Sequence, residues 1–251
     1  MNPVFSIITV TYNAAQWIEN TIQSIIGQTY DNIEFIVIDG KSNDETTEVI
    51  QRYGANINYW ISEPDNGLYD AMNKGIEKAK GDYLWFINAG DRIYDKNTIR
   101  NIVGKIKDKD TLPDVIYGET AIIDKNGQYV GMRRLKSPET LTRKSFKMGM
   151  LVSHQSFIAK REIAPLYDLK YRFSADVDWC IKCLKNAKSI FNSRLILSQY
   201  MEEGLTTNNH KASLKERYEI MSYYYGRIPT MVRHLWFAIR FYAAKIRKRK
   251  I

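Results

Sequence analysis

Aspartates recur in this 251-residue chain directly after short apolar runs. Asp39 closes the run 33–38 (IEFIVI), in Asp39-Gly40-Lys41-Ser42-Asn43-Asp44. Asp65 and Asp70 follow the run 57–61, and Asp91 follows 83–87 (YLWFI), in Asn88-Ala89-Gly90-Asp91. Carboxylates are hard oxygen donors, and one or two of them supplemented by phosphate oxygens suit Mg²⁺ or Mn²⁺. A single Asp more often caps a helix or ties a turn. Asp39 and Asp91 taken together, each ending an apolar run, shift the balance towards ligand binding. A further pair, Asp176 and Asp178 in 173–179 (FSADVDW), opens a helical pattern. One of them can act as a general base. Equally, both can complement the helix dipole behind Ser174 as N-cap.

The elements that must position these acids alternate in period. Phe5–Thr11 (FSIITVT) is short, β-branched and nearly continuous, the pattern of a strand buried on both faces. Trp17, Ile18, Ile22, Ile25 and Ile26 then recur at helical spacing and stop at Gly27. Strands are expected at 33–38, 57–61 and 83–87, with helices at 46–53 and 68–80. Such alternation predicts an α/β fold, a Rossmann-like, mainly parallel mixed sheet with flanking helices. Ligands bind such sheets beyond the carboxyl ends of the strands, where Asp39, Asp70 and Asp91 would converge. Later, a strand is expected at 114–118, a hairpin turn at Lys125-Asn126-Gly127-Gln128 within 121–134, and helices at Ala175–Asn186 and 218–251.

Composition sets outer bounds. The chain is 44% hydrophobic and 26% charged, enough for a core and unlike a disordered segment. Its net charge is +9, and it is unevenly spread: residues 1–100 carry −6 and the remainder +15. Two cysteines exclude a disulfide framework and fit a reducing compartment. No apolar run reaches the roughly 18 residues of a spanning helix, and the first twelve residues lack secretory-signal features. A cytoplasmic protein is therefore expected. Nucleic acid is not expected as a partner, because no aromatic-studded RNA motif accompanies the positive charge.

Four blocks carry a resemblance to a known family. They are 6–13 (SIITVTYN), 36–46 (IVIDGKSNDET), 66–75 (NGLYDAMNKG) and 81–91 (GDYLWFINAGD). In order and spacing they closely resemble family 2 glycosyltransferases, above all bacterial colanic-acid, exopolysaccharide and O-antigen enzymes, and the likeness weakens but continues to about residue 200. The resemblance implies a GT-A fold, a nucleotide-sugar donor with UDP favoured, a divalent cation (Mn²⁺ or Mg²⁺) and inversion at the anomeric carbon. It places Thr11, Tyr12 and Asn13 against the nucleotide, Asp39 on the base with Ser42 beside it, and Asp70, Asn73 and Lys74 near the ribose, diphosphate or sugar. The family's metal motif is commonly Asp-x-Asp. Here Asn88, Ala89 and Gly90 precede Asp91, so Asp91 is the implied metal ligand and Asn88 a neutral second contact. Asp176 matches the family's catalytic base, with Ala175 where a Glu is usual and Asp178 the alternative. His154 and Gln155 match a His-Gln that can contact acceptor or donor sugar, although a packed structural His is an equal reading.

Other features have ordinary readings. Cys180 and Cys183 form a C-x-x-C without a second ligand pair at zinc spacing, so burial in a helix is expected. His210 follows a polar segment from which some GT-A enzymes supply a metal-binding His, but no ligand spacing supports that here. His234 sits among apolar residues and suits packing. The division expected is a catalytic domain over 1–212, with a nucleotide half to about 110 and an acceptor half beyond it, followed by a basic amphipathic helical tail over 213–251. No acid follows Glu219, and Trp236, Phe237, Phe241 and Tyr242 alternate with arginines and lysines. Such a segment suits an anionic membrane surface, with the cytoplasmic membrane's inner face the expected location. The enzyme expected is one moving a single hexose or N-acetylhexosamine to a glycan or lipid-linked glycan. A contrasting reading is a membrane- or nucleic-acid-binding module whose nucleotide-sugar site has decayed.

Overall fold

In the computed structural model, which describes residues 2–202 and 209–236, nine strands form one mixed sheet. The first half alternates β1 (Phe5–Thr11), α1 (Ala15–Ile26), β2 (Ile33–Asp39), α2 (Thr46–Arg52), β3 (Tyr59–Ser62), α3 (Leu68–Lys78) and β4 (Tyr83–Phe86). These strands run parallel in the spatial order β3-β2-β1-β4. Every residue of β1 and β4 is buried, as continuous apolar strands covered on both faces should be. Side chains alternate between two cores. Ile8, Val10, Ile36, Ile38, Leu84 and Phe86 face the core shared with α3, whereas Ile7, Phe35, Val37 and Trp85 face the one shared with α1.

Helix α3 approaches β1 closely because Gly75 has no side chain. A Cβ there would lie 2.4 Å from Ile8 Cγ2.

The second half adds β5 (Arg92–Ile93), α4 (Thr98–Ile106), β6 (Val115–Ile123), β7 (Tyr129–Met132), β8 (Phe157–Lys160), α5 (Ala175–Asn186) and β9 (Ile190–Met201). They extend the sheet as β4-β8-β6-β9-β5, with β7 paired to β6. The strand expected at 114–118 is nine residues long, and the hairpin follows at Asn126-Gly127, where Gly127 takes φ 78°. Strands β8 and β9 and helix α4 were not expected from the sequence. Strand β9 runs parallel to β6, so its carboxyl end at Met201 reaches the same sheet edge as β1 and β2.

The expected boundary at 212/213 falls inside α6 (His210–Tyr225). Ser213, Ile220 and Met221 of that helix are buried, and Ile220 joins the α3-side core. The continuous helix expected over 218–251 is interrupted at Gly226, φ 88°, which receives the end of α6 before helical residues 227–236. Phe237, Phe241, Tyr242 and the terminal basic run lie outside the described residues. No helix among the described residues is long and apolar enough to cross a membrane.

Candidate active site

A cleft of about 1440 Å³ opens at the carboxyl ends of β1, β2 and β4. Thr11 ends β1 and lines it, and Tyr12 stands at its rim with 63% of its surface exposed. Gly40 and Lys41 line it from the end of β2, Asp65 from the loop into α3, Asp70 from the first turn of α3, and Asn88, Ala89 and Asp91 from the end of β4. Asp176 lines it at the first turn of α5. The fold thus brings residues 11, 70, 91 and 176 to one cavity.

Several expected residues brace the cleft instead of facing it. Asp39 is fully buried; Ser42 donates to it through both N–H (2.9 Å) and hydroxyl (2.5 Å), and the Ser62 hydroxyl donates at 2.6 Å. Asn13, φ 48°, donates its N–H to Ser42 Oγ and accepts from the Asn43 N–H. These bonds lock the 40–44 turn against β1. Asn73 is buried and exchanges two hydrogen bonds with the backbone of Tyr167. Lys74 bonds Glu63 at 2.8 Å and the Pro64 carbonyl at 2.7 Å.

Asp91 is the acid most perturbed by its surroundings. It is 5% exposed, accepts from the Met201 N–H at 3.1 Å and from Gln155 Nε2 at 2.9 Å, and burial pushes its carboxyl up to about 7. Gly90 makes the turn that delivers it: φ is 99°, and a Cβ would meet Met201 Cε at 2.5 Å. Nearby, Asn88 Oδ1 is buried without a hydrogen-bond partner among the described residues. This donor set is all oxygen, which fits a hard divalent cation. It offers one carboxylate, and among the described residues no three acids, histidines or cysteines cluster as a metal cage. A cation held here would have to take further ligands from a diphosphate.

The two candidate bases are separated by geometry. Asp176 faces the cleft and accepts a hydrogen bond from Tyr69 at 3.2 Å. Tyr69 is stacked on Tyr167, centroids 5.3 Å apart, which fixes its hydroxyl. Asp178 is 3% exposed, pairs with Lys182 at 2.7 Å and accepts from the Tyr224 hydroxyl at 2.7 Å. It does not line the cleft. Ser174 makes no side-chain cap; its hydroxyl bonds Ser213 instead. The N–H groups of Arg172, Phe173 and Ser174 donate to the carboxylate of Glu216, at 2.8, 2.8 and 2.9 Å, from α6.

His154 is buried against Phe86 and bonds the Tyr167 hydroxyl at 2.7 Å, and desolvation lowers its pKa to about 4. It lines the cleft as a neutral ring. Gln155 reaches Asp91 rather than open space. His210 is an exposed residue at the start of α6 and does not line the cleft. Cys180 and Cys183 are free, buried inside α5, and burial raises their thiols well above the ordinary range. Arg133, Tyr200 and Arg217 also line the cleft and carry no local pattern that marks them, because each comes from a separate late segment.

Three comparisons bear on this geometry. Residues 6–164 match the family described as Glycosyl transferase family 2. A PGL/p-HBAD biosynthesis glycosyltransferase of Mycobacterium tuberculosis is 30% identical over 214 residues, covering 82% of this chain and 80% of the relative. An uncharacterized glycosyltransferase of Rickettsia typhi is 29% identical over 227 residues, covering 86% and 69%. Among solved structures, S. aureus TarS in complex with UDP-GlcNAc superposes with TM-score 0.68 at 22% identity. That likeness covers 87% of this chain and 64% of the TarS chain, so the chain spans under two thirds of that neighbour. A mannosyltransferase from Pyrobaculum calidifontis, in complex with GDP-Man and Mn²⁺, gives TM-score 0.60 at 15% identity, covering 95% and 76%. The structural likenesses show a shared GT-A fold.

Proposed function

Because the chain belongs to glycosyl transferase family 2, we propose that its cleft binds a UDP-sugar and transfers one hexose or N-acetylhexosamine, with inversion, to a glycan or lipid-linked glycan acceptor. The observation that carries this reading is the convergence of Asp91 and Asp176 on one cleft from elements 85 residues apart in sequence. Three buried atoms on its walls, Thr11 Oγ1, Asn88 Oδ1 and Arg217 Nε, have no hydrogen-bond partner among the described residues, which suits a polar ligand. UDP is supported by the UDP-GlcNAc bound to the TarS neighbour, and a divalent cation by the Mn²⁺ of the mannosyltransferase.

The roles follow from position. Tyr12 presents an open ring face at the rim for the base, and the braced 40–44 turn shapes its pocket. Asp91, with Asn88, would hold Mn²⁺ or Mg²⁺, which when bound supplies charge neutralisation to the diphosphate. Asp176 takes the proton from the acceptor hydroxyl as that oxygen attacks the anomeric carbon. Tyr69 holds the carboxylate's orientation through its hydrogen bond. His154, neutral and packed, donates shape to the wall and no charge.

The acceptor encounter is proposed to occur at an anionic membrane surface. In the helix 227–236, Ile228, Met231, Val232 and Leu235 are 72, 56, 60 and 65% exposed and fall at i, i+3, i+4 and i+7. Arg227 and Arg233 accompany them, and the sequence beyond is basic. Cosedimentation with phosphatidylglycerol vesicles, lost when Ile228 and Leu235 become Ser, would support this.

Calorimetric titration with UDP, GDP and dTDP, with and without Mn²⁺, tests the donor site. Mn²⁺-dependent UDP binding that disappears in Asp91→Ala is the expected result. No nucleotide binding by folded protein would support the contrasting decayed-site reading.

A further inference from the structure

Cations are distributed unequally around the cleft. From the first hundred residues the only lysine or arginine lining it is Lys41, which is exposed at the mouth. Among the described residues the lining arginines, Arg133, Arg172 and Arg217, come from the second half of the chain. Arg133 is anchored: its Nη1 donates to the carbonyls of Leu135 and Leu151 at 3.2 and 3.0 Å, and its Nη2 to that of Met150 at 2.6 Å. Arg217 projects from α6, one residue beyond the Glu216 that caps α5. Its Nε is buried with no hydrogen-bond partner among the described residues.

Arg133, Arg217 and Asp176 line the same cleft, and Glu216, the residue before Arg217, binds the backbone N–H groups of residues 172–174 just ahead of Asp176. Two like charges held together in a part-buried cleft, one with an orphaned N–H, are costly unless an anion joins them. In an inverting displacement the base and the leaving diphosphate lie on opposite faces of the sugar. Cations grouped with the base therefore meet what arrives with the attacking hydroxyl. The planar donor fork of Arg217 matches a phosphate in shape, and Arg133, whose Nη1 and Nη2 already bond carbonyls, adds its charge.

We propose that Arg217, backed by Arg133, forms a phosphate-binding subsite for the acceptor, so that the sugar or polyol receiving the transfer carries a phosphate or diphosphate near its nucleophilic hydroxyl. This rests on the reading of Asp176 as base and of the β1–β4 edge as donor site. Arg217 is a binding residue in this scheme and takes no proton.

The test separates acceptor phosphate from donor diphosphate by filling the donor site first. Methyl phosphate is titrated into protein saturated with UDP and Mg²⁺, for wild type, Arg217→Gln and Arg217→Lys, each shown to be folded by its thermal transition. Saturable binding is expected in the wild type. It should weaken by about tenfold or more in Arg217→Gln and recover in part in Arg217→Lys, with UDP affinity the same within about twofold throughout. Equal binding of methyl phosphate by wild type and Arg217→Gln would overturn the subsite, as would no binding to the UDP-loaded wild type. A matching loss of UDP affinity in Arg217→Gln would assign the arginine to the donor diphosphate and overturn the acceptor role. Failure of the wild type to bind UDP at all would overturn the donor reading itself.

Discussion

Glu216 offers the sharpest test of how Asp176, the proposed base, is held. Its carboxylate accepts three successive backbone N–H groups, from residues 172, 173 and 174, at the start of the helix that carries Asp176. Replacing it by Ala leaves those donors without an acceptor. Arg172 N–H is exposed and finds water, whereas the bonds from Phe173 and Ser174 are part-buried. Hydrogen bonds to charged groups contribute about 1.5–3 kcal/mol each, and solvent access reduces that. A destabilisation of roughly 2–4 kcal/mol follows, which lowers the melting temperature by roughly 5–10 °C for a domain of this size. Glu216→Gln keeps one acceptor oxygen and should fall in between. Urea titration measures the stability term, and calorimetry with UDP measures the donor site. Because the proposed donor edge is built from β1, β2 and β4, UDP affinity should stay within about twofold while transferase turnover falls. A stability loss under about 1 kcal/mol, or turnover equal to wild type, would refute the claim that α6 positions the base.

Further expectations separate catalytic from structural residues. Asp176→Asn should retain UDP affinity and lose turnover by about 10²–10⁴-fold, the usual range for a general base, in a radiolabelled-sugar transfer assay. Asp178→Asn should instead act on stability, losing about 1–3 kcal/mol in urea titrations, because it removes the charge paired with Lys182 and weakens the part-buried bond from Tyr224. Gly75→Ala should destabilise by about 1–3 kcal/mol despite better helix propensity, since its Cβ would lie 2.4 Å from Ile8 Cγ2; a neutral or raised urea midpoint would count against that close approach. His154 is held neutral, with its pKa lowered from 6.5 to about 4, so its contribution to stability is complete above 6.5 and is lost as pH falls towards 4. The loss reaches about 3 kcal/mol below pH 4. Urea midpoints between pH 7.5 and 4.5 should fall less steeply in His154→Gln than in wild type.

The local code was strong in the first hundred residues. Strands 5–11 and 33–38 match β1 and β2 within a residue because both-face burial demands an unbroken β-branched run. Helix Ala175–Asn186 matches α5 because its apolar spacing and its first-turn acids agree. Strands β8 and β9 were not legible. The four residues of β8 leave little pattern, and β9 is irregular, with register shifts near Arg194, which takes φ 55°.

What the sequence determined by itself was the chemistry available and its placement in order along the chain: acids at the ends of parallel strands, and a pair of aspartates opening a late helix. That much is local, because strand and helix periods and turn residues act over a few positions. Only the tertiary structure decided which of those groups share a cavity. It turned Asp176 into the cleft and committed Asp178 to Lys182 and Tyr224, two residues apart on one helix but roughly 200° around it. It sent Asn73 inward to Tyr167, replaced the expected Ser174 cap with Glu216 from 42 residues away, and left Arg217 lining the cleft it shares with Asp176. Each of these depends on how separate helices pack across the sheet edge, and no window of neighbouring residues contains that information.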